Sequence, residues 1–222
     1  MARRDPDRRH RRPPSGEAQP EGTRERLIEA AGDVFASKGY HAATVKDITD
    51  LAGAAIGSIN YHFGDKEGLY AQVLARIGCA AEGIVPPEGS LHGTPRERLR
   101  QYLVHIMTTM LGREKPVWER VLMARELAEP TAALDSVIET IARPLHQGLA
   151  ELVSQITGQK ASTQRVALLT CGIVAQCMYY LQHEAVLDRV HPQLKTRPSA
   201  KRLADTIADF SIAGLERMTE GK

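Results

Sequence analysis

The chain has 222 residues, 42% of them hydrophobic and 5% aromatic, with a formal net charge of +2. That is enough for two domains, or one domain and a small module, and the near-neutral balance does not by itself demand a polyanionic partner. Cys79, Cys171 and Cys177 form no even disulfide framework and no metal-binding spacing, and no run reaches the roughly 18 apolar residues of a membrane span.

Residues 1–20 hold six arginines and three acids among prolines, without periodic apolar positions. Residues 1–22 therefore read as a disordered basic tail, either simply solvated or an arm that reaches phosphates or a minor groove. No apolar stretch follows, so it is not a secretory signal. Residues 24–39 predict a helix with Leu27, Ile28, Ala31, Val34 and Phe35 on one stripe, closed by Gly39-Tyr40. The next stretch, 44–66, TVKDITDLAGAAIGSINYHFGDK, has the spacing of a helix-turn-helix. Thr44 and Asp47 form a helix start, Val45, Ile48 and Leu51 an apolar face, and Ala52-Gly53 a stop. Ile59 and Phe63 then anchor a second short helix, leaving Gly57, Ser58, Asn60, Tyr61 and His62 off its buried face. Asp65 caps a third, whose first residue, Lys66, puts a cation beside N-terminal amides where a phosphate can sit. Leu69, Val73 and Ile77 continue this helix to about residue 80, and Pro86-Pro87-Glu88-Gly89 breaks the chain. Residues 23–84 are thus read as a helix-turn-helix DNA-binding domain.

This stretch resembles the DNA-binding domain of the tetracycline-repressor (TetR) family. The resemblance rests on Thr44, Ile48, Ala52-Gly53, Gly57-Ser58-Ile59, Tyr61-His62-Phe63, Lys66-Glu67 and Leu69, and on the preceding helix, about sixty residues in all. The segments INYHFGDKEGLY, MARELAEPTAALD and ARPLHQGL resemble the CecR-like branch. Family members often carry Ser or Thr where this chain has Ala55 and Lys or Arg where it has Ile56. This recognition helix therefore lacks a good N-cap and one phosphate cation.

Thr94-Pro95-Arg96-Glu97 is a full helix-start signature, and Leu99, Tyr102, Leu103, Ile106, Met107 and Met110 form the stripe that follows. Pro116 opens a helix over 117–128 with Trp118, Val121, Leu122 and Leu127 apolar. After Pro130 another runs through Leu134, Val137, Ile138 and Ile141 and either kinks or breaks at Pro144. It resumes through Leu145, Leu149, Leu152 and Ile156 to Gly158. The run 166–181 contains no charge and must be covered on all sides, so it should pack its own domain with one face and a second subunit with another. A last amphipathic helix over 199–218 carries Leu203, Ile207, Phe210, Ile212 and Leu215. No strand alternation is present, so the fold class is all-α, with 90–222 a helical ligand-binding and dimerisation domain.

Thr44, Tyr61, His62 and Lys66 are candidates for positioning on phosphate, Ser58 and Asn60 for base edges, and Gly57 for close approach. Tyr61 also fits a packing role. The 21–85 stretch carries six bases against nine acids, so its cations must gather on one side, with the arginine tail helping. His105, Met110, Trp118, Met123, Glu126, His146, Gln176 and Tyr180 are polar or soft residues within apolar helices. They are either core and surface residues or the lining of a sensor pocket, which the resemblance implies between the middle helices. Ile173, Val174, Cys177 and Phe210 are the expected dimer contacts, with Gly172 and Ala175 allowing close approach. No catalytic motif, cofactor or metal is expected. The combined reading is a cytoplasmic, homodimeric transcription regulator, a repressor released from a double-stranded DNA operator by a small-molecule effector, with no membrane role. The alternative is a helical protein that binds or processes a small molecule and in which the helix-turn-helix is secondary.

Overall fold

The computed structural model describes residues 20–80, 83–112, 116–194, 196 and 198–220, and among these every regular element is helical. α1 (Pro20–Ala42) starts earlier than the tail boundary at 22 predicts; the rest of that predicted tail lies outside the described residues. α1 is broken at Gly39, where φ 78 and ψ 165 are conformations a side chain resists. α2 (Val45–Ala52), α3 (Gly57–Phe63) and α4 (Lys66–Ala80) complete the N-terminal head. α1 supplies Leu27 and Phe35 to its core, α2 Ile48, α3 Ile59 and α4 Leu69 and Leu74, each essentially inaccessible. Burying each such side chain contributes about 1.5–3 kcal/mol.

The C-terminal body comprises α5 (Pro95–Leu111), α6 (Val117–Ala128), α7 (Leu134–Val137), α8 (Arg143–Thr157), α9 (Gln164–Gln182), α10 (Glu184–Val190) and α11 (Ala200–Glu220). α5 begins with the expected capping box, Thr94 bonded reciprocally to Glu97. It lies along α11 and α8, and Leu99, Leu103, Met107, Leu149, Val153, Val166, Ile173 and Ile207 fill the core they share. Pro144 neither breaks nor sharply ends the seventh helix. A π-turn, Ile138–Ala142, joins α7 to α8, and the Arg143 N–H reaches back to Ile138 O. Pro144 then follows directly on the π-turn at the start of α8, where the helical path is already irregular and its missing N–H breaks no regular α-helical ladder.

The phase of three helices differs from the sequence pattern. In α2, Leu51 is 59% exposed, and Ile48, Thr49 and Ala52 face inward. In α6, Val121 and Leu127 are exposed, whereas Trp118, Glu119, Leu122 and Glu126 are buried, because α6 packs on α1 and not on the body core. In α11, Phe210 is 73% exposed, and Ala204, Ala208 and Ser211 occupy the inner face with Leu203, Ile207 and Leu215. α10 was not expected as a separate helix.

Candidate nucleic-acid interface

The turn between α2 and α3 is built by local chemistry. Thr44 caps α2: its hydroxyl accepts the Asp47 N–H at 3.1 Å, while Asp47 accepts from the Thr44 N–H at 3.1 Å. Lys38 of α1 pairs with the other oxygen of Asp47 at 2.8 Å. The Lys38 hydrogen bond first, then those from Thr44, hold the Asp47 carboxyl down to about 2. Because this folded value lies below that of the unfolded chain, near 3.9, the stabilisation is present above about pH 4 and is lost as pH falls toward 2. Asp47→Asn should therefore flatten the acid limb of the stability curve between about pH 4 and 2, as urea unfolding at stepped pH would show.

Gly53 terminates α2 in the left-handed region, φ 60 and ψ 40, and Ala54 N–H returns to Thr49 O at 3.0 Å. α3 starts at Ile56 with no side-chain cap, in line with the departure at Ala55 and Ile56. Ile59 anchors α3 fully buried, and the half-buried Phe63 lies under the Arg24 guanidinium at 5.5 Å. Those two contacts turn the opposite face outward. Gly57, Asn60 and Tyr61 are exposed, and Ser58 and His62 half-buried. Tyr61 is 81% exposed, with its ring edge-on to His62, so the packing alternative does not describe it.

The cations are arranged otherwise than the sequence suggests. Asp65 does cap α4, accepting the Gly68 N–H at 2.7 Å. The Lys66 ammonium, however, turns back to the Tyr40 and Ala43 carbonyls, at 3.0 and 3.1 Å, and lies over the Tyr40 ring at 4.6 Å. It ties α4 to the end of α1. Arg24 bonds Gln72, Arg26 bonds the Ala52 carbonyl, and Arg76 pairs with Glu25 and Glu29. Lys46 is different: exposed, two residues past Thr44, its ammonium has no ion pair or hydrogen bond among the described residues. Sequence reasoning passed over it, although a lysine in the first turn of the first helix of the motif was the available signal.

The eight residues grouped as a sensor lining do not converge. Trp118 joins the head's core and donates its indole N–H to Glu29 at 3.0 Å; Glu126 is buried in the seam between head and body. These two lie in the seam between head and body, apart from the other six. His105 contacts the Gly83 carbonyl beside an open groove of about 910 Å³ between α5 and α11. His146 lines a shallow cleft between α8 and α9. Gln176 and Tyr180 share a surface groove with Phe210. Met110 and Met123 alone of the eight meet in a partly enclosed cavity of about 290 Å³, which Ile77, Val117, Met178 and Leu181 also line. The expected dimer contacts divide likewise. Ile173 and Cys177 are 3% and 4% exposed in their own core, where burial pushes the Cys177 thiol up to about 11. Val174 is partly buried against the same core, and Phe210 alone of the four stands out on the surface.

The model for bacterial regulatory proteins of the tetR family matches residues 27–73, and that for the C-terminal domain of the HTH-type transcriptional dual regulator CecR matches residues 95–215. The chain belongs to the TetR family. Within it, this regulator is 31% identical to CecR of Shigella flexneri over 180 residues, 76% of this chain and 80% of that one. It is 27% identical over 173 residues to the transcriptional activator FasR of Mycolicibacterium smegmatis, 75% of each chain. A TetR-like transcriptional regulator from Rhodococcus sp. RHA1 shares the fold, with TM-score 0.60 and 24% identity over 90% of this chain and 97% of that one. TetR-family members are transcription regulators acting on DNA operators, not enzymes, which removes the small-molecule-processing alternative. Among the described residues, no helix is long and apolar enough to cross a membrane.

Proposed function

We propose that this regulator is a cytoplasmic homodimer that represses from a pseudo-palindromic operator and is released by a small, partly apolar effector. Residues 23–84 serve as the reading head and 90–222 as the sensing and pairing body. The observation that carries the DNA reading is the outward face of α3. Gly57 and Ser58 let the backbone approach, and the Asn60 amide and the Tyr61 hydroxyl project without a hydrogen bond among the described residues. In a major groove an Asn amide pairs with adenine, while Thr44, Tyr61, His62, Lys66 and Lys46 lie where phosphates flank it. Lys66 would contribute its one donor left over from the carbonyls.

Support for the effector is the methionine-lined cavity between α4, α5, α6 and α9, at the small end of ligand pockets. α6 borders it with Met123 and grips the head with Trp118 and Leu122. An effector that shifts α6 therefore disturbs two heads already set for an operator, and release is the natural sign. Trp118, 5% exposed at that seam, should report the shift in its fluorescence without touching the effector.

The test is binding to a duplex that the parent protein selects from a randomised pool. Asn60→Ala should lose about 1–3 kcal/mol of discrimination at one base pair per half-site. Lys46→Ala should weaken all duplexes alike and lower the salt slope by about one. If both variants bind as the parent does at physiological salt, α3 is not the reading helix.

A further inference from the structure

Glu126 lies on α6, which packs on α1 of the head and borders the body at the cavity it shares with α5 and α9, and its side chain is completely buried on the head side. One carboxylate oxygen accepts from the Tyr70 hydroxyl of α4. The other accepts the Thr131 N–H and hydroxyl, both at 2.8 Å. Beside it, Arg125 donates to the Ser37 carbonyl at 3.2 Å, two residues before the break in α1 at Gly39. The Tyr70 ring packs edge-on to Phe35 at 4.8 Å and lies 4.7 Å from the Tyr40 ring. Over Tyr40 sits Lys66, bonded to the carbonyls of Tyr40 and Ala43, and the residue after Ala43 is Thr44, the cap of α2. Continuous contact thus joins Glu126 to the backbone from which the helix-turn-helix starts.

A carboxylate is an expensive group to bury, and its three donors satisfy it without making it a better filler than a leucine or methionine. What it adds to packing is direction, because a hydrogen bond weakens steeply with angle and an apolar contact does not. We propose that Glu126 is a positioning residue for operator binding: through Tyr70 it sets the angle at which each head is held on the body. The inference rests on the paired-head reading, since that angle governs affinity only when two heads must engage two half-sites together.

Full-length parent, Tyr70→Phe and Glu126→Gln proteins are titrated against the operator selected by the parent. The same is done with versions whose half-sites are moved apart or together by one base pair, about a tenth of a helical turn, and with an unrelated duplex. Tyr70→Phe keeps the ring against Phe35 and Tyr40, so it tests the bond even if the glutamine variant folds poorly. Both variants should lose about tenfold at the original spacing, the scale of one hydrogen bond to a charged group. The ratio between original and shifted spacings should shrink by a similar factor, with the unrelated duplex bound as by the parent. The double variant should be no worse than either single one. Equal loss on every duplex would reduce Glu126 to a structural role and overturn the proposal, as would an unchanged spacing ratio. A parent without any spacing preference would overturn the paired-head reading itself, and the inference with it.

Discussion

Phe210→Glu should yield a folded monomer that no longer binds the operator tightly. Phe210 stands 73% exposed on α11, and α9 adds Leu168 and Tyr179 at 67% and 41%. Tyr180, Ala175, Gln176 and Thr206 complete the groove at Phe210. Aromatic and aliphatic groups in such a cluster are the usual mark of an interface, and a two-fold pair meets each inserted charge twice. Once the pair separates, the second head no longer binds at the millimolar effective concentration its partner supplied, so operator affinity should fall by about a hundredfold or more. Sedimentation at micromolar concentration and operator titration read the two effects. Ile173→Glu is the contrasting change: at 3% exposure it puts a charge into the protomer's own core and should unfold the body.

Gly68→Ala should misplace α3 without disturbing the pair. Alanine in a helix ordinarily stabilises relative to glycine by about 1 kcal/mol, so the opposite sign is informative. A Cβ at Gly68 would stand 2.2 Å from the Phe63 carbonyl oxygen, and the Gly68 N–H is already fixed to Asp65. Relief requires the α3–α4 turn to open, and Phe63 is the anchor at the end of α3. The expected cost is about 1–3 kcal/mol of stability, with operator affinity down at least tenfold and sedimentation unchanged. Denaturant unfolding beside operator titration checks it, and parental values in both would show that the turn yields freely.

The head was legible because its signals are local. Thr44 with Asp47, the left-handed Gly53 and the Ile59–Phe63 pair each specify structure within four residues, and each forms as the sequence implies. The body's elements were also legible from caps and prolines, but the facing of its helices was not. The chargeless run 166–181 of α9 has little amphipathic signal to set its rotation, so a surplus of apolar perimeter is readable while its phase is not. Ile173 and Cys177 accordingly face inward, and Leu168 and Tyr179 outward. Trp118 and Glu126 show a second limit. A polar or aromatic residue in an apolar stripe looks the same whether it meets a ligand or another part of the chain, and the partner of Glu126, Tyr70, is 56 residues away. Lys66 shows a third, since its two carbonyl partners lie more than twenty residues back, just past the break in α1 at Gly39.

The most direct measurement for the central claim, that two α3 helices on one dimer read a DNA operator, is a genome-wide map of the sites bound by the full-length protein. The account predicts an inverted repeat with half-site centres about one helical turn, or a multiple of it, apart, and loss of that enrichment in the Phe210→Glu variant. Bound sites without a shared motif, or a single half-site bound as well by the variant as by the parent, would contradict it.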